Sequence, residues 1–225
     1  MFATMSFGIG GSLICEKDNM ATREEIGMTK VAAGITTSVD GYITGPNDGP
    51  ERGLGEGGER LHYWVFGGPW TYAKPGRGEP TGADKEYLDG EMANMGAVVG
   101  GRGTFESAAA WGGTNPWPVP FFVVTHRPQD EPTDAGFTFV DGLETAISRA
   151  RSAAGDKDVH LMGGADVIRQ ALRAGYLDEL SVSIAPVVLG AGKRLFNGFD
   201  KSVDLELIRT FSSPLATHIR YRVVR

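Results

Sequence analysis

The sequence predicts an α/β fold in which helices cover the faces of a mixed, mostly parallel sheet. Short apolar runs of strand length alternate with amphipathic segments along most of the chain, which is the order of parallel strands joined by helices. The last two apolar runs follow each other without a helix between them, so we expect them to form an antiparallel pair. A length of 225 residues favours one domain.

The elements follow from hydrophobic periodicity. Segments with the length and composition of strands cover 30–39, 97–101, 120–125, 137–140, 158–162, 179–189, 203–211 and 217–224. Helices are predicted over 84–95, 141–154 and 165–174, and a further helix begins near Thr104. In the helix over 165–174, Val167, Ile168 and Leu172 form one apolar face, and Gly175 stands at the C-terminal cap position.

Two segments have no predicted regular structure. Residues 1–28 lack the charged start and cleavage site of a signal peptide, so we interpret them as a disordered extension before a single domain over 29–225. Residues 45–82 form a glycine-rich insertion. A structureless loop of this length is unusual in a compact domain, so it is either a lid over a site or a surface excursion. We expect its apolar stretch ERLHYWVF to pack onto the body.

Composition excludes several classes of function. The net charge is −6 and the 22 Lys and Arg residues are scattered, so we expect no nucleic-acid partner. Cys15 is the only cysteine and the four histidines have no metal-ligand spacing, so we expect no disulfide and no metal. An apolar run of about 18 residues, long enough for a membrane helix, is absent. A reducing, cytoplasmic location fits these features best.

Three strand ends carry residues that suit a ligand with several phosphates. The turn Gly163–Gly164–Ala165 starts a helix, where unpaired amides and the helix dipole attract anions. Arg102 and Arg127 follow two other strands, and ligands of open α/β sheets bind at the carboxyl ends of strands. Each feature has a simpler explanation, since paired glycines also allow tight packing and arginines are common at surfaces. The full dinucleotide fingerprint G-x-G-x-x-G is absent.

Taken together, several motifs resemble the dihydrofolate-reductase-like superfamily. These are TTSVDGYIT, GGRGTFES, VVTHRP, HLMGGADVIRQAL and DELSVSIAPVVLGAGKRLF. The chain is most similar to the reductase domain of the bifunctional riboflavin-biosynthesis deaminase-reductase, and GGERLHYW resembles stand-alone bacterial members of that branch. The resemblance covers Thr29 to Arg225 and implies a three-layer α/β/α fold.

The same resemblance implies an NADPH-dependent reductase. It would transfer a hydride to a small cyclic or sugar-derived imine, as 5-amino-6-(5-phosphoribosylamino)uracil reductase does. A dihydrofolate reductase and a catalytically silent nucleotide-binding protein are the alternatives. Relatives of this branch commonly dimerise, so a homodimer is also expected.

The resemblance further implies a cofactor site. Arg102 would hold the 2′-phosphate of NADPH, while Thr104 and the glycine turn would hold the pyrophosphate. Residues 125–127 would line the adenosine end, and residues of 36–43 would lie near the nicotinamide. The full set is Thr36, Asp40, Ile43, Arg102, Thr104, Thr125, His126, Arg127, Gly163, Gly164 and Ala165.

The substrate side is less well matched. Asp84 is the candidate proton donor, but it stands one residue away from the spacing in folate-reducing members, and a carboxylate stabilised by the helix dipole is the alternative. His62 and Trp64 are candidates to contact a planar substrate, and Trp64 could instead anchor the insertion. The acidic helix around Asp84 is expected to repel a phosphorylated substrate, unless arginines of the insertion such as Arg52 or Arg60 compensate its charge.

Overall fold

The computed structural model describes residues 29–127 and 136–225, so the predicted extension over 1–28 lies outside the described residues. The strands are β1 (Val31–Ser38), β2 (Tyr42–Thr44), β3 (Met95–Gly101), β4 (Phe121–Val124), β5 (Phe137–Val140), β6 (Asp158–Met162), β7 (Glu179–Ala185), β8 (Lys193–Arg194), β9 (Leu205–Ser212) and β10 (Thr217–Val223). The helices are α1 (Gly82–Ala93), α2 (Arg102–Ser107), α3 (Leu143–Ala154) and α4 (Ala165–Ala174), with 3-10 segments at Gly58–His62 and Ala109–Gly113.

The main sheet is mixed and mostly parallel, as predicted. Its strand order is β5-β4-β3-β6-β1-β7-β10-β9. All neighbours from β5 to β7 pair parallel, whereas β10 runs antiparallel to both β7 and β9. The carboxyl ends of β4, β3, β6, β1 and β7 therefore lie along one edge of the sheet.

Helices cover both faces and give the expected three layers. One face packs against α3 and α4, whose apolar stripe includes Ile147 and Ile168, with exposed fractions of 2% and 0%. Complete burial of an apolar side chain of this size stabilises the fold by roughly 1.5–3 kcal/mol. The opposite face packs against α2 through Phe105 and against α1 through Tyr87.

Several predicted boundaries were wrong, and each has a local cause. The helix predicted over 84–95 runs from Gly82 to Ala93, because β3 already begins at Met95. Helix α3 begins at Leu143 instead of 141, because Gly142 before it has a φ of 82°, outside the helical region. The strand predicted over 179–189 ends at Ala185, and the next residue is Pro186, which has no amide proton to continue a ladder.

The insertion over 45–82 is more ordered than predicted. It contains the 3-10 segment Gly58–His62, and Leu61 within that segment is completely buried against Ala185 and Val187. Further along, Trp64 packs against Tyr87 of α1 and Phe211 of β9. The apolar stretch therefore packs onto the body as expected, beside β7 and over α1.

Within 29–127 and 136–225, no helix combines the length and apolar character needed to cross a bilayer. The same two ranges hold no group of three or more His, Cys, Asp and Glu residues that could bind a metal ion.

Candidate functional site

Three predicted turns meet at the carboxyl edge of the sheet. Strand β3 lies between β4 and β6, with Gly101 paired to Val124 and Gly100 paired to Met162. The residues that follow these strands are consequently neighbours. Arg102 Nη1 donates a hydrogen bond of 3.3 Å to Thr125 Oγ1. Arg102 and Thr125 are therefore joined directly.

The glycine turn is shaped by two left-handed backbone conformations. Gly163 and Gly164 have φ angles of 50° and 76°, which disfavour residues with a side chain. A Cβ atom on Gly164 would lie 3.0 Å from Thr104 Oγ1, so α2 packs closely against this turn. The N-cap residue of α4, which begins at Ala165, is Gly164, and it has no side chain to cap the first amides. The turn therefore forms a cradle of backbone donors at a helix N-terminus, which suits a phosphate.

Arg102, at the start of α2, is hydrogen-bonded on both sides. Besides Thr125, it contacts Glu106 through an Nε–Oε1 hydrogen bond of 2.7 Å, while 29% of its side chain remains exposed. This i,i+4 pair orients the guanidinium along α2. A phosphate bound by Arg102 would share the guanidinium with Glu106.

The turn after β4 is organised by Thr125. Its side chain is 4% exposed, and its hydroxyl oxygen also accepts a hydrogen bond of 3.2 Å from the Arg127 amide. His126 points into solvent with 96% of its side chain exposed, 3.6 Å from Asp141. Thr125 thus shapes the turn from within, whereas His126 and Arg127 present its surface.

The residues predicted near the nicotinamide lie in β1, in the loop after it and in β2. Thr36 Oγ1 accepts a hydrogen bond of 3.2 Å from Trp64 Nε1, and Ile43 is buried in the core. Strand β1 adjoins β6 through the pairing of Gly34 with Met162. These residues therefore lie one strand away from the glycine turn, and their contact with a cofactor stays a prediction.

Asp40 joins the loop after β1 to the loop after β7. Its carboxylate accepts hydrogen bonds from the Leu189 and Gly190 amides at 3.0 and 2.8 Å, and from the Ser38 hydroxyl at 2.6 Å. The Ser38 hydrogen bond first, and the two amides in addition, lower the pKa of Asp40 to about 2. Both carboxylate oxygens accept hydrogen bonds, so Asp40 holds the loop after β1 against the loop after β7.

Asp84 is buried near the start of α1, with an exposed fraction of 3%. Its Oδ1 lies 2.9 Å from His218 Nε2, and Ser183 Oγ lies 2.7 Å from His218 Nδ1. The three side chains form a continuous hydrogen-bonded chain between α1, β10 and β7.

Aromatic rings of the insertion and α1 enclose this chain. The Trp64 ring meets the His218 imidazole edge-on at 4.7 Å, and Tyr87 stacks on the imidazole at 4.1 Å. Trp64 thus anchors the insertion over His218 and α1, and anchoring is one of its two predicted roles. His62 lies in the neighbouring 3-10 segment, where burial lowers its pKa to about 4.

The sequence did not point to His218 or Ser183. On β10, the apolar alternation marks Ile219, Tyr221 and Val223 as one face, and His218 falls on the other face, which also carries Arg220 and Arg222. Period-2 alternation does not say which face a helix will cover. Only the docking of α1 and Trp64 makes this polar face partly interior.

A cavity of about 390 Å³ opens beside the end of β1. Its volume is in the range of small-molecule sites. It is lined by Thr37, Gly41, Val182, Arg194, Leu195, Phe196, Asn197 and Gly198. The GAGKRLF segment, part of a motif behind the resemblance, therefore borders a recess that the sequence did not assign.

Relatives among curated proteins share part of the chain. An uncharacterized protein of Bacillus subtilis, YyaP, is 36% identical over 92 residues, which cover 40% of this chain and 48% of that protein. The match thus spans about half of that relative. A second uncharacterized B. subtilis protein, YwjB, is 26% identical over 125 residues, covering 55% of this chain and 71% of its own length.

Solved structures share the fold at low sequence identity. A putative riboflavin biosynthesis protein from Shewanella has a TM-score of 0.63 at 21% identity and covers 88% of this chain and 100% of its own. A pyrimidine reductase-like protein from Corynebacterium diphtheriae has a TM-score of 0.59 at 18% identity, covering 92% and 97%. Dihydrofolate reductase from Enterococcus faecalis, solved with NADP(H) and RAB-propyl, has a TM-score of 0.55 at 19% identity, covering 88% and 96%.

The family comparison extends over most of the chain. The model of the RibD C-terminal domain matches residues 29–217, which include every element from β1 to the start of β10. The sheet edge at which the turns after β3, β4 and β6 meet and the mixed sheet agree with this match. The chain belongs to the RibD C-terminal domain family.

Proposed function

We propose that this chain is an NADPH-dependent reductase that transfers a hydride to a small cyclic or sugar-derived imine. Membership of the RibD C-terminal domain family supports an oxidoreductase of the reductase kind. The observation that carries the proposal is the junction of three turns: Arg102 bonds to Thr125 while Gly164 lies against Thr104. These groups together suit a dinucleotide with an extra phosphate.

The strand order gives the cofactor a direction. The glycine turn after β6 would hold the pyrophosphate, and Arg102 with residues 125–127 would hold the adenosine half over β3 and β4. The remaining half would then run the other way, from β6 towards the end of β1. Thr36 and the cavity beside Thr37 lie at that end. NADPH bound in this way would supply the hydride, while the chain orients it and excludes water.

The predicted repulsion between α1 and a phosphorylated substrate is weakened by local pairing. Each acidic side chain of α1 has a partner: Asp84 with His218, Glu86 with Arg209, Asp89 with Lys85, and Glu91 with Arg220. Arginines of β9 and β10 thus compensate much of the acidic surface. A sugar-phosphate imine therefore remains compatible with this side of the site.

The proposal is tested by calorimetric titration with NADPH and NADH. The wild-type chain is expected to bind NADPH more tightly than NADH, because only NADPH carries the 2′-phosphate. Arg102→Ala should weaken NADPH by about 10- to 150-fold, the scale of one charge-assisted hydrogen bond, and leave NADH nearly unchanged. Arg222→Ala is the matched control, since this arginine pairs with Glu206 on the far strands.

Two results would contradict the proposal. Absence of binding of either nucleotide at submillimolar concentration would remove the cofactor site. An equal loss for both nucleotides in Arg102→Ala would remove the 2′-phosphate role. Stopped-flow oxidation of bound NADPH by dihydrofolate and by cyclic imines then separates the reductase from a dihydrofolate reductase and from a silent nucleotide-binding protein.

A further inference from the structure

A buried polar chain crosses from α1 to the sheet beneath Trp64. His218 is completely buried, and Ser183 and Asp84 are 1% and 3% exposed. The imidazole uses both nitrogens, one towards Asp84 at 2.9 Å and one towards Ser183 at 2.7 Å. Burial of a polar group is costly unless its hydrogen bonds are satisfied, so the proton positions in this chain are coupled.

We propose that His218 is a positioning residue that lets Asp84 hold and release the proton for the substrate, by exchanging tautomers. This inference rests on the proposed function. When Asp84 is a carboxylate, His218 carries its proton on Nε2 and donates to Asp84, while the Ser183 hydroxyl donates to Nδ1. When Asp84 is protonated, it donates to Nε2, and the imidazole carries its proton on Nδ1 and donates to Ser183. Every buried group stays hydrogen-bonded in both states.

The surroundings favour a neutral imidazole throughout. Burial lowers the pKa of His218, against the opposite effects of Asp84 and Glu91. The groups that face the imidazole are Tyr87 and Glu91 of α1, Ser183 of β7 and Trp64 of the insertion, while Arg220 of β10 pairs with Glu91. Arg220 therefore compensates the charge of Glu91. Asp84 can take up a proton while the His218 imidazole stays neutral.

This arrangement meets the proton demand of imine reduction. Bound NADPH would supply the hydride to the imine carbon and become NADP⁺, while the electron pair of the C=N π bond would go to the nitrogen. The Asp84 O–H bond would then break, and its proton would form the new N–H bond and leave an Asp84 carboxylate. A proton from solvent then restores Asp84. In each half of the cycle the imidazole releases the proton of one nitrogen to solvent and takes up a proton from solvent on the other nitrogen, so His218 stays neutral while its tautomer follows the charge of Asp84.

The Trp64 cover has to open for this step. Its Nε1 donates to Thr36 at the end of β1, and together with Tyr87 it encloses the imidazole. Because Asp84 is almost completely buried, a substrate nitrogen reaches it only after the insertion shifts. The insertion thus covers the Asp84 carboxyl group when the substrate is absent.

The tautomer exchange is tested by NMR on the full chain labelled with ¹³C and ¹⁵N at histidine. We expect His218 to carry its proton on Nε2 at pH 8 and on Nδ1 as the pH falls, without a state in which both nitrogens are protonated. Asp84→Asn should abolish this exchange. His160 serves as the internal control, because it lies beside Glu91 and outside the Asp84–Ser183 chain. A doubly protonated ring, or one tautomer down to the pH of acid unfolding, would overturn the proposal.

A second measurement separates this proposal from the proposed function. In single-turnover oxidation of bound NADPH by a cyclic imine, Asp84→Asn and His218→Gln should each slow the chemical step by about 10-fold or more, on the scale of general acid catalysis. His218→Gln should also change the pH profile of the rate, which loss of packing alone would not do. Failure of the wild-type chain to bind NADPH would remove the proposed function, and the NMR result alone would then decide whether the exchange exists.

Discussion

Single glycines decide whether the edge at which the three turns meet can form. Gly164 precedes α4 and Gly142 precedes α3, with φ angles of 76° and 82° and ψ angles of 113° and 143°. These conformations lie in a region that is nearly restricted to glycine, and another residue there costs about 1–3 kcal/mol. The two positions differ in their surroundings, because a Cβ on Gly142 would meet nothing within 4 Å whereas one on Gly164 would approach Thr104.

This difference gives a matched pair of variants. Gly142→Ala and Gly164→Ala should each lower the free energy of unfolding by about 1–3 kcal/mol, as measured by urea denaturation. Only Gly164→Ala should also weaken NADPH binding, because its methyl group would occupy the space between the turn and Thr104. Equal NADPH affinity in the two variants would show that the turn is not a cofactor cradle.

The insertion over 45–82 shows how one side chain fixes an element. Trp64 is 6% exposed, and its indole contacts Tyr87, His218 and Thr36 on three elements of the body. Trp70 lies six positions later in the same insertion, and its ring contacts Phe66 and Tyr72, which also belong to the insertion. One tryptophan therefore docks the insertion, while the other packs within it.

Trp64→Ala should consequently lower the free energy of unfolding by about 3–5 kcal/mol, the usual cost of a large-to-small change at a buried aromatic position. Trypsin should also cut faster at Arg52 and Arg60, which are exposed within the insertion. Trp70→Ala is the control and should leave the imidazole of His218 covered. Protection of Arg60 in Trp64→Ala to the wild-type level would contradict the anchoring role.

For the whole molecule, titratable groups with shifted pKa values make stability depend on pH. Burial lowers the pKa of His62 from 6.5 to about 4, so between these values the unfolded chain binds a proton that the folded chain excludes. Stability from His62 is therefore complete above pH 6.5 and is lost as the pH falls towards 4. Asp40, whose pKa is lowered from 3.8 to about 2, adds a further loss as the pH falls from 3.8 towards 2.

Urea denaturation at pH 7 and pH 4 measures this dependence. His62→Gln should reduce the difference in unfolding free energy between the two pH values by up to about 3 kcal/mol, since one pKa unit corresponds to about 1.4 kcal/mol. His126→Gln is the control, because 96% of the His126 side chain is exposed. An unchanged pH dependence in His62→Gln would show that His62 is protonated in the folded chain.

The sequence by itself determined that the sheet is mixed and mostly parallel. Because the carboxyl ends of neighbouring parallel strands lie at one edge, it also brought Arg102, Thr125 and Gly163 together. The pattern of apolar residues and glycines is local, and it carries this information without tertiary contacts. The roles of these residues towards NADPH, like the homodimer, remain predictions.

The tertiary structure decided which polar residues are buried and where the insertion lies. His218 and Ser183 stand on strand faces that alternation marks as polar, and only the docking of α1 and Trp64 encloses them with Asp84. Burial at these positions depends on contacts between residues 134 and 35 positions apart in the chain, which local periodicity does not encode.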